Sequence, residues 1–342
     1  MKNGNLCGKI ITVTPIRLIF LQRNMRMKYI MITVISAAVI VLLLFFILLF
    51  VSSRVFGRGK PYDITKALRK NPELAEEILA KRKSLGKYSP EEVSVKSFDG
   101  YRLVGKIYYS QIPDSVPERG FVVCMHGYHS GAAEDFAGAV DFFTENRFHV
   151  LFVTQRCHGE SEGNRITFGA KERYDCRTWC EYLVGRFGKE TKIILDGISM
   201  GAATVVMAAD REVGLPANVK AVIADCGYTS PWEIVCDVAK KTYHLPKFPV
   251  MHIFRLAVRI DAGFDLCSVS AEKAATNTDI PIFFAHGTGD KFVPYEMSVR
   301  NQRAHAAESY LFSVENAGHG LSFMIDRENY SRECMNFLEK FL

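Results

Sequence analysis

The chain has 342 residues, of which 48% are hydrophobic and 23% charged, with 25 glycines and 12 prolines. This composition is ordinary for a globular protein and excludes a disordered, collagen-like or repeat chain. The formal net charge of +6 is unevenly placed, because residues 1–71 carry twelve Lys and Arg and one acid, whereas the remaining residues carry 31 bases and 36 acids. The main body is therefore mildly acidic, which argues against a nucleic-acid-binding protein.

An apolar run covers residues 30–53, and no charged residue lies between Lys28 and Arg54. At 1.5 Å per residue this run is long enough to cross a hydrocarbon core of about 30 Å. We predict a single transmembrane helix here, because the apolar region of a cleaved signal peptide is only about 7 to 15 residues long. Basic residues flank both ends of the run, so the positive-inside rule leaves the orientation open.

The segments on either side of the predicted span differ from the main body. Residues 1–29 form a basic N-terminal segment, and residues 54–90 form a basic juxtamembrane connector with a helix predicted to start at Asn71. The nine cysteines show no zinc spacing, no redox pair and no disulfide framework, so we predict no metal site. Free thiols in this number favour a catalytic domain that faces the cytoplasm.

From residue 91 the pattern becomes one of short apolar strands alternating with amphipathic helices. A β-hairpin is predicted first, with Asp99 and Gly100 at its turn. Further strands are predicted at 121–125, 150–154, 192–195, 219–224, 282–285 and 310–314. Helices are predicted at 133–146, 170–187, 200–212, 295–306 and 326–342. This alternation predicts an α/β domain over residues 91–342 with a mostly parallel central sheet flanked by helices.

One connection between consecutive strands, at residues 229–279, is about fifty residues long, which is too long for a bare loop in a compact domain. We predict a small helical cap inserted there. Its aromatic and aliphatic residues are interpreted either as the wall of an acyl pocket or as the cap's own core; they are Trp232, Phe248, Met251, Phe254 and Leu256.

The most specific motif is G-x-S-x-G at residues 197–201, which directly follows one predicted strand and directly precedes a helix. In this context Ser199 is presented on a sharp turn at the carboxyl edge of the sheet, as a nucleophile requires. A serine hydroxyl needs a base to remove its proton, and His319, after the last strand, is the candidate. The acid that orients the base is Asp290 or, one strand earlier, Asp225, and we favour Asp290.

An oxyanion must also be stabilised by preorganised N–H donors. We assign these donors to the backbone of Met200, directly after the serine, and to the backbone of Tyr128, in the loop after an early strand. His126, in the same loop, is interpreted as structural. Residues 155–163 form a polar turn to which we assign no chemistry.

These motifs together resemble the α/β-hydrolase superfamily of serine hydrolases, and within it the bacterial members of the proline iminopeptidase and monoacylglycerol lipase-like branch. The resemblance covers residues 91–342. It rests on His126 and Gly127, Arg156, His158, Gly159 and Ser161, residues 197–201, Asp290 and His319. The sequence departs from the family pattern at Thr154, where an Asp is usual, and at Cys157, where a Gly is usual. Neither change affects the predicted triad.

The resemblance implies a cofactor-independent acyl transfer through an acyl-enzyme on Ser199. We predict a membrane-bound carboxylesterase or lipase-like enzyme, anchored in the bilayer through residues 30–53, that cleaves an acyl ester or lipid-like substrate. Alternatives that use the same residues are an aminopeptidase of the proline iminopeptidase type and an acyltransferase. An aminopeptidase needs acidic residues to hold the substrate ammonium, and Glu233, Asp237, Asp261 and Asp265 are the candidates. A non-catalytic membrane-tethered scaffold is a further alternative.

Overall fold

The computed structural model describes residues 15–61, 68–69, 71–112 and 118–342, so the first fourteen residues of the predicted N-terminal segment and residues 62–67 and 70 of the predicted connector lie outside the described residues. The body is built on an eight-stranded sheet with the order β1-β2-β4-β3-β5-β6-β7-β8. The strands are β1 Glu91–Lys96, β2 Arg102–Tyr108, β3 Gly120–Met125, β4 Phe148–Thr154, β5 Ile193–Ile198, β6 Val219–Asp225, β7 Ile282–Gly287 and β8 Ser309–Val314. β2 pairs antiparallel with both β1 and β4, and the six strands from β4 through β3, β5, β6 and β7 to β8 run parallel to one another.

The antiparallel edge begins with the predicted hairpin. Gly100 has a φ of +96°, a conformation that side chains rarely adopt, and the turn is closed by a hydrogen bond of 2.8 Å from the Ser97 N–H to the Tyr101 carbonyl. Because strands β3 to β7 are buried on both faces, their side chains are almost all apolar, as the sequence pattern predicts.

Helices cover both faces of the sheet. They are α1 Pro15–Val55, α2 Pro72–Ser84, α3 Ala132–Phe136, α4 Val140–Glu145, α5 Glu172–Phe187, α6 Met200–Ala208, α7 Pro231–Tyr243, α8 His252–Asp261, α9 Ala271–Thr276, α10 Tyr295–Ala304, α11 Ser322–Ile325 and α12 Arg327–Leu338. The prediction of one helix at 133–146 was wrong, since the segment forms α3 and α4. The break falls at Gly138, where a Cβ atom would come within 2.9 Å of the Met324 sulfur, so this glycine lets the chain approach α11 closely.

The N-terminal helix is longer than the predicted span of residues 30–53. It is one continuous helix from Pro15 to Val55, because the Arg and Lys residues that precede the apolar run are also good helix formers. Residues 18–55 are apolar and long enough to cross a membrane, with a mean hydropathy of 3.4 in the most apolar window. The helix is exposed as far as Leu43 and packs against the cap helix α8 beyond it.

The end of α1 is built into the folded body. Phe56 is fully buried, and its carbonyl accepts a hydrogen bond of 2.7 Å from the Ile166 N–H. The Arg58 guanidinium donates to the carbonyls of Gly159 and Ser161 at 2.6 and 2.7 Å. The packed body therefore begins near residue 44, well before the boundary at residue 91 that composition suggests.

The insertion at 229–279 is helical, as predicted, but its three helices serve different parts of the molecule. α7 and α8 form the cap, whereas α9 packs against α6 and α10 of the body. The cap proper is thus α7, α8 and the turn between them.

Helix α2, further upstream, starts where predicted, because the Asn71 side chain accepts a hydrogen bond of 3.2 Å from the Leu74 N–H.

Candidate active site

Ser199 lies on a sharp turn between β5 and α6, with φ 57° and ψ −113°. Two glycines allow this turn to form. A Cβ atom on Gly197 would overlap the backbone of Gly201, and a Cβ atom on Gly201 would overlap the Met125 carbonyl of β3. The G-x-S-x-G pattern is therefore a packing requirement of strand, turn and helix, and it leaves the Ser199 hydroxyl at the carboxyl edge of the sheet.

The side chains of Ser199, His319 and Asp290 form a chain of hydrogen bonds. The Ser199 Oγ lies 2.9 Å from His319 Nε2, and His319 Nδ1 lies 2.6 Å from Asp290 Oδ2. In this arrangement the imidazole accepts the serine proton at one nitrogen, while its other N–H donates to the carboxylate. The three residues follow β5, β7 and β8, so the parallel sheet brings them together at one edge.

The Asp290 carboxylate is completely buried and is held by groups that sequence reasoning missed. His286 Nε2 lies 3.1 Å from Asp290 Oδ2, and its Nδ1 lies 2.7 Å from the Ser298 hydroxyl. Burial favours the protonated acid, but the hydrogen bonds and charges of His286 and His319 outweigh it and hold the pKa of Asp290 well below its usual range. Asp290 is therefore an ionised carboxylate with a fixed orientation. A histidine four residues before the acid is the only sequence signal for this contact.

Asp225, the alternative acid, does not contact the imidazole. Its carboxylate accepts a hydrogen bond of 2.9 Å from the Ser322 hydroxyl, and its backbone carbonyl accepts one of 2.9 Å from the Ser199 N–H. Burial raises the pKa of this carboxyl group. The structure thus places Asp225 behind the serine turn and Asp290 against the base.

The loop after β3 lies directly against Ser199. A Cβ atom built on Gly127 would sit 3.5 Å from the Ser199 Cβ, so the backbone of Tyr128 passes close to the serine together with that of Met200. Asp135 holds this loop by accepting hydrogen bonds of 2.7 Å from the Gly127 N–H and 2.6 Å from the Ser130 hydroxyl. These hydrogen bonds hold the backbone of the loop beside Ser199.

Comparisons with known proteins agree with the fold described above. The family model "Serine aminopeptidase, S33" matches residues 116–244. The uncharacterized protein YqkD of Bacillus subtilis (strain 168) is 24% identical over 245 residues, which are 72% of this chain and 78% of that protein. Among solved structures, the esterase Pf2001 of Pyrococcus furiosus is similar with a TM-score of 0.59 at 20% identity, covering 76% of this chain and 93% of that one. The chain has the α/β-hydrolase fold.

A peptidase is among the similar structures as well. The acylaminoacyl peptidase of Pyrococcus horikoshii matches with a TM-score of 0.54 at 16% identity, over 75% of this chain and 42% of that one. The family model over residues 116–244 and the hydrogen-bonded Ser199 agree with a serine hydrolase of the α/β-hydrolase type, and the solved structures agree with its fold. They do not distinguish an esterase from a peptidase.

The other histidines near the site of the hydrolase have structural contacts. Burial lowers the pKa of His126 to about 4 and that of His158 to about 3, so both imidazoles are neutral. His126 accepts a hydrogen bond of 3.1 Å from the Gln155 N–H, and His158 accepts one of 3.2 Å from the His129 N–H. His126 is thus placed as a loop residue, as the sequence analysis interprets it.

Arg156, in the polar turn at 155–163, is also fully buried. It forms two-pronged ion pairs with Asp99, at 2.8 and 3.0 Å, and with Asp175, at 2.6 Å. These ion pairs connect the hairpin turn at Asp99 to α5. The polar turn at 155–163 therefore has a structural role, carried by Arg156, that needs no contact with Ser199.

Cys226, which sequence reasoning did not connect with the site, lies beside the Asp290–His319 pair. One candidate ligand atom from each of these residues lies within 4.8 Å of the others. Two of the three atoms are already hydrogen-bonded to each other, and burial raises the pKa of the Cys226 thiol well above its ordinary value. Metals bind the thiolate form of cysteine, and a raised pKa disfavours that form. The three residues therefore suit the hydrogen bond between Asp290 and His319 better than a metal centre.

A cavity of about 280 Å³ reaches Ser199. Its wall contains no charged side chain and is formed by α1, by the cap and by the loops around the serine. The residues are Leu48, Val51, Val55, Tyr128, Phe168, Ser199, Met200, Tyr228, Ile234, Val235, Val238, Ala239, Tyr243, Leu245, Met251, Phe254, Phe292 and Val293. Of the five cap residues predicted to line a pocket or to form the cap core, Met251 and Phe254 line the cavity.

The end of α1 also contacts the loop that lies against Ser199. The Tyr128 hydroxyl donates a hydrogen bond of 2.7 Å to the Val55 carbonyl. The His129 ring lies 3.1 Å from the Gly57 carbonyl. The N-terminal helix therefore contributes both to the wall of the cavity and to the support of the loop that carries a candidate oxyanion donor.

Proposed function

We propose that this chain is a membrane-anchored carboxylic ester hydrolase. In the proposed reaction Ser199 Oγ attacks the ester carbonyl while His319 Nε2 takes its proton, and Asp290 stabilises the imidazolium. The N–H groups of Tyr128 and Met200 stabilise the oxyanion. His319 then returns the proton to the leaving alcohol, and water hydrolyses the acyl-enzyme by the same steps.

The observation that carries the proposal is an uncharged cavity that opens onto a hydrogen-bonded serine. Burial of an apolar chain in such a wall is favourable, whereas burial of a substrate ammonium requires a carboxylate partner. The esterase Pf2001 shares the fold, which is consistent with this chemistry. An acyl ester is the substrate class that fits.

The four acidic residues that an aminopeptidase would need are engaged elsewhere. Glu233 pairs with Arg300 at 2.7 Å and Asp237 with Lys241 at 2.8 Å. Asp261 pairs with Arg165 and Asp265 with Arg255, at 2.6 and 2.5 Å. None of the four lines the cavity at Ser199. The ester hydrolase is therefore favoured over the aminopeptidase of the iminopeptidase type.

The anchor is proposed on the burial of its own residues. Leu48, Ser52 and Phe56 are buried in the body of the hydrolase, and the Ser52 hydroxyl donates to Asp261 at 3.0 Å. Removal of the helix as a signal peptide would expose the surfaces that these residues cover. We therefore propose that α1 is retained and crosses the bilayer.

The test is turnover of p-nitrophenyl esters with acyl chains from two to sixteen carbons, using the full chain in detergent. Ser199→Ala is the control, because it removes the nucleophile and little packing. We expect ester turnover that depends on Ser199 and no turnover of prolyl p-nitroanilide. Labelling of Ser199 by a fluorophosphonate without turnover of any ester would contradict the proposal and favour a different acyl donor.

A further inference from the structure

The lining of the cavity is exposed at only a few residues, and these show where it opens. Among the lining residues, Tyr243 is 68% exposed, Leu245 36% and Val51 38%. The first two lie at the end of α7 and just after it, and Val51 lies on α1. Phe292, 47% exposed, stands beside His319 on another side of the site. One mouth of the cavity is thus formed between α1 and the cap.

The length of α1 sets the depth of this mouth relative to a bilayer. Between Lys28 and the first residue that packs on the body, Leu44, fifteen uncharged residues span about 22 Å at 1.5 Å per residue. A hydrocarbon core is about 30 Å thick, so the core extends about five residues further, to the level of Leu48. Leu48, Val51 and Val55 are the residues of α1 that line the cavity, and Leu48 is the one nearest the bilayer. The mouth therefore meets the edge of the hydrocarbon region.

The neighbouring cap surface fits this position. Phe254 of α8 contacts Phe56, and Asp261 at the other end of α8 bonds Ser52, so α8 runs back along α1 towards the bilayer. Leu256 and Ile260 of this helix are 49% and 61% exposed, although both are apolar. A helix that presents apolar side chains beside a membrane span is typical of an interfacial segment. Asp261, which bonds Ser52, is paired with Arg165, so a charged pair lies at the level of Ser52 and places the polar region of the interface there.

We infer that α1 is a wall of the substrate site and that the substrate is a long-chain acyl ester of a bilayer lipid, which reaches Ser199 sideways between α1 and the cap. This inference rests on the proposed ester hydrolysis and adds the source of the substrate and its route. The acyl chain stays in apolar surroundings from the bilayer to the serine, so its transfer costs little hydrophobic free energy. Val51 is then a residue that selects for chain length at the mouth.

The test uses the full chain reconstituted in phosphatidylcholine vesicles. A soluble ester, 4-methylumbelliferyl butyrate, is compared with 4-methylumbelliferyl palmitate held either in the same vesicles or in separate ones. Val51→Trp narrows the mouth, and Leu43→Trp, on an exposed part of α1 outside the cavity wall, is the matched control. We expect palmitate in the same vesicles to be cleaved at least tenfold faster than palmitate in separate vesicles. Val51→Trp should lower the ratio of palmitate to butyrate turnover at least tenfold, and Leu43→Trp should leave the ratio within twofold.

Each outcome decides one of the two proposals. Equal palmitate turnover from same and separate vesicles, or an unchanged ratio in Val51→Trp, overturns the lateral route while Ser199-dependent butyrate turnover leaves the ester hydrolase standing. If Leu43→Trp lowers the ratio as much as Val51→Trp, the cavity wall is not the cause and the route is again overturned. Absence of Ser199-dependent turnover of every ester overturns both proposals. Fluorophosphonate labelling of each variant shows that its site is folded.

Discussion

The site has a polar end, formed by the three hydrogen-bonded residues around Ser199, and an apolar end, formed by the cavity wall. These two ends come from different parts of the chain. At the polar end, Ser199, Asp290 and His319 each follow a strand of the parallel sheet, so their positions are fixed by the most rigid element of the fold. At the apolar end most of the wall comes from α1 and the cap, neither of which belongs to the sheet, and the rest comes from the loops around the serine. The groups proposed to perform the chemistry and most of the groups proposed to bind the acyl chain therefore belong to different structural elements.

Their surroundings differ as well. The Asp290 carboxylate is saturated with donors, since it also accepts hydrogen bonds of 2.8 and 3.0 Å from the N–H groups of Phe292 and Val293. The cavity wall offers an acyl chain only apolar contacts and a few hydroxyl groups. Changes at the polar end should alter the turnover of every ester alike, whereas changes at the apolar end should alter selectivity between chain lengths.

The largest effect is expected from Asp290→Asn. This change keeps the shape of the acid but loses the charge that fixes the tautomer of His319, so kcat should fall about 10⁴-fold for short and long esters alike. Asp225→Asn is the matched control, because Asp225 is also a buried acid, and its backbone contacts the serine turn while its side chain bonds Ser322 and not the base. It should cost less than tenfold. Steady-state turnover of the two variants on butyrate and palmitate esters measures this difference, and greater damage from Asp225→Asn would show that the acid is misassigned.

A smaller effect is expected from His286, which positions Asp290. A hydrogen bond to a charged group contributes about 1.5–3 kcal/mol, so His286→Leu should lower kcat by about 10- to 100-fold with little change in KM. The hydrogen bond from His286 lowers the pKa of Asp290, so its loss should raise that pKa, and the loss of turnover should be greatest at acidic pH, where part of Asp290 is then protonated.

The conservative variant His286→Gln separates positioning from packing. Its amide retains an N–H donor near Asp290 and should recover most of the lost kcat and the wild-type pH profile. If His286→Gln is as slow as His286→Leu while both unfold at the wild-type temperature, the hydrogen bond to Asp290 is not what positions the acid.

The polar end could be largely predicted from the sequence, because short motifs of neighbouring residues identify each of its members. Gly197 and Gly201 around the serine are required by the close approach of strand and helix, so the motif and its geometry have one physical cause. The order of strands and helices predicts the parallel sheet, and a parallel sheet brings its carboxyl ends to one edge. His286 was missed because a buried histidine within an apolar strand has no local signal that distinguishes a second donor from a core residue.

The apolar end could not be predicted in the same way. The composition of residues 30–53 predicts a membrane span and says nothing about packing against the body. That Leu48 and Val51 line a cavity depends on the angle at which α1 leaves the body and on contacts with α8, which is some two hundred residues away in sequence. Amphipathic patterning identifies a buried face of a helix but not the partner that covers it.

The smallest effect is expected from Tyr128→Phe, which tests how independent the two ends are. The Tyr128 backbone is a proposed oxyanion donor, while its hydroxyl bonds the Val55 carbonyl at the end of α1. Loss of one hydrogen bond costs about 0.5–1.5 kcal/mol, so the Tm in detergent should fall by a few degrees and ester turnover by no more than about threefold. Tyr243→Phe, at the exposed mouth, is the matched control and should leave the Tm unchanged. A loss of turnover above tenfold for short and long esters alike would mean that α1 sets the position of the oxyanion donor, and the two ends would then act as one unit.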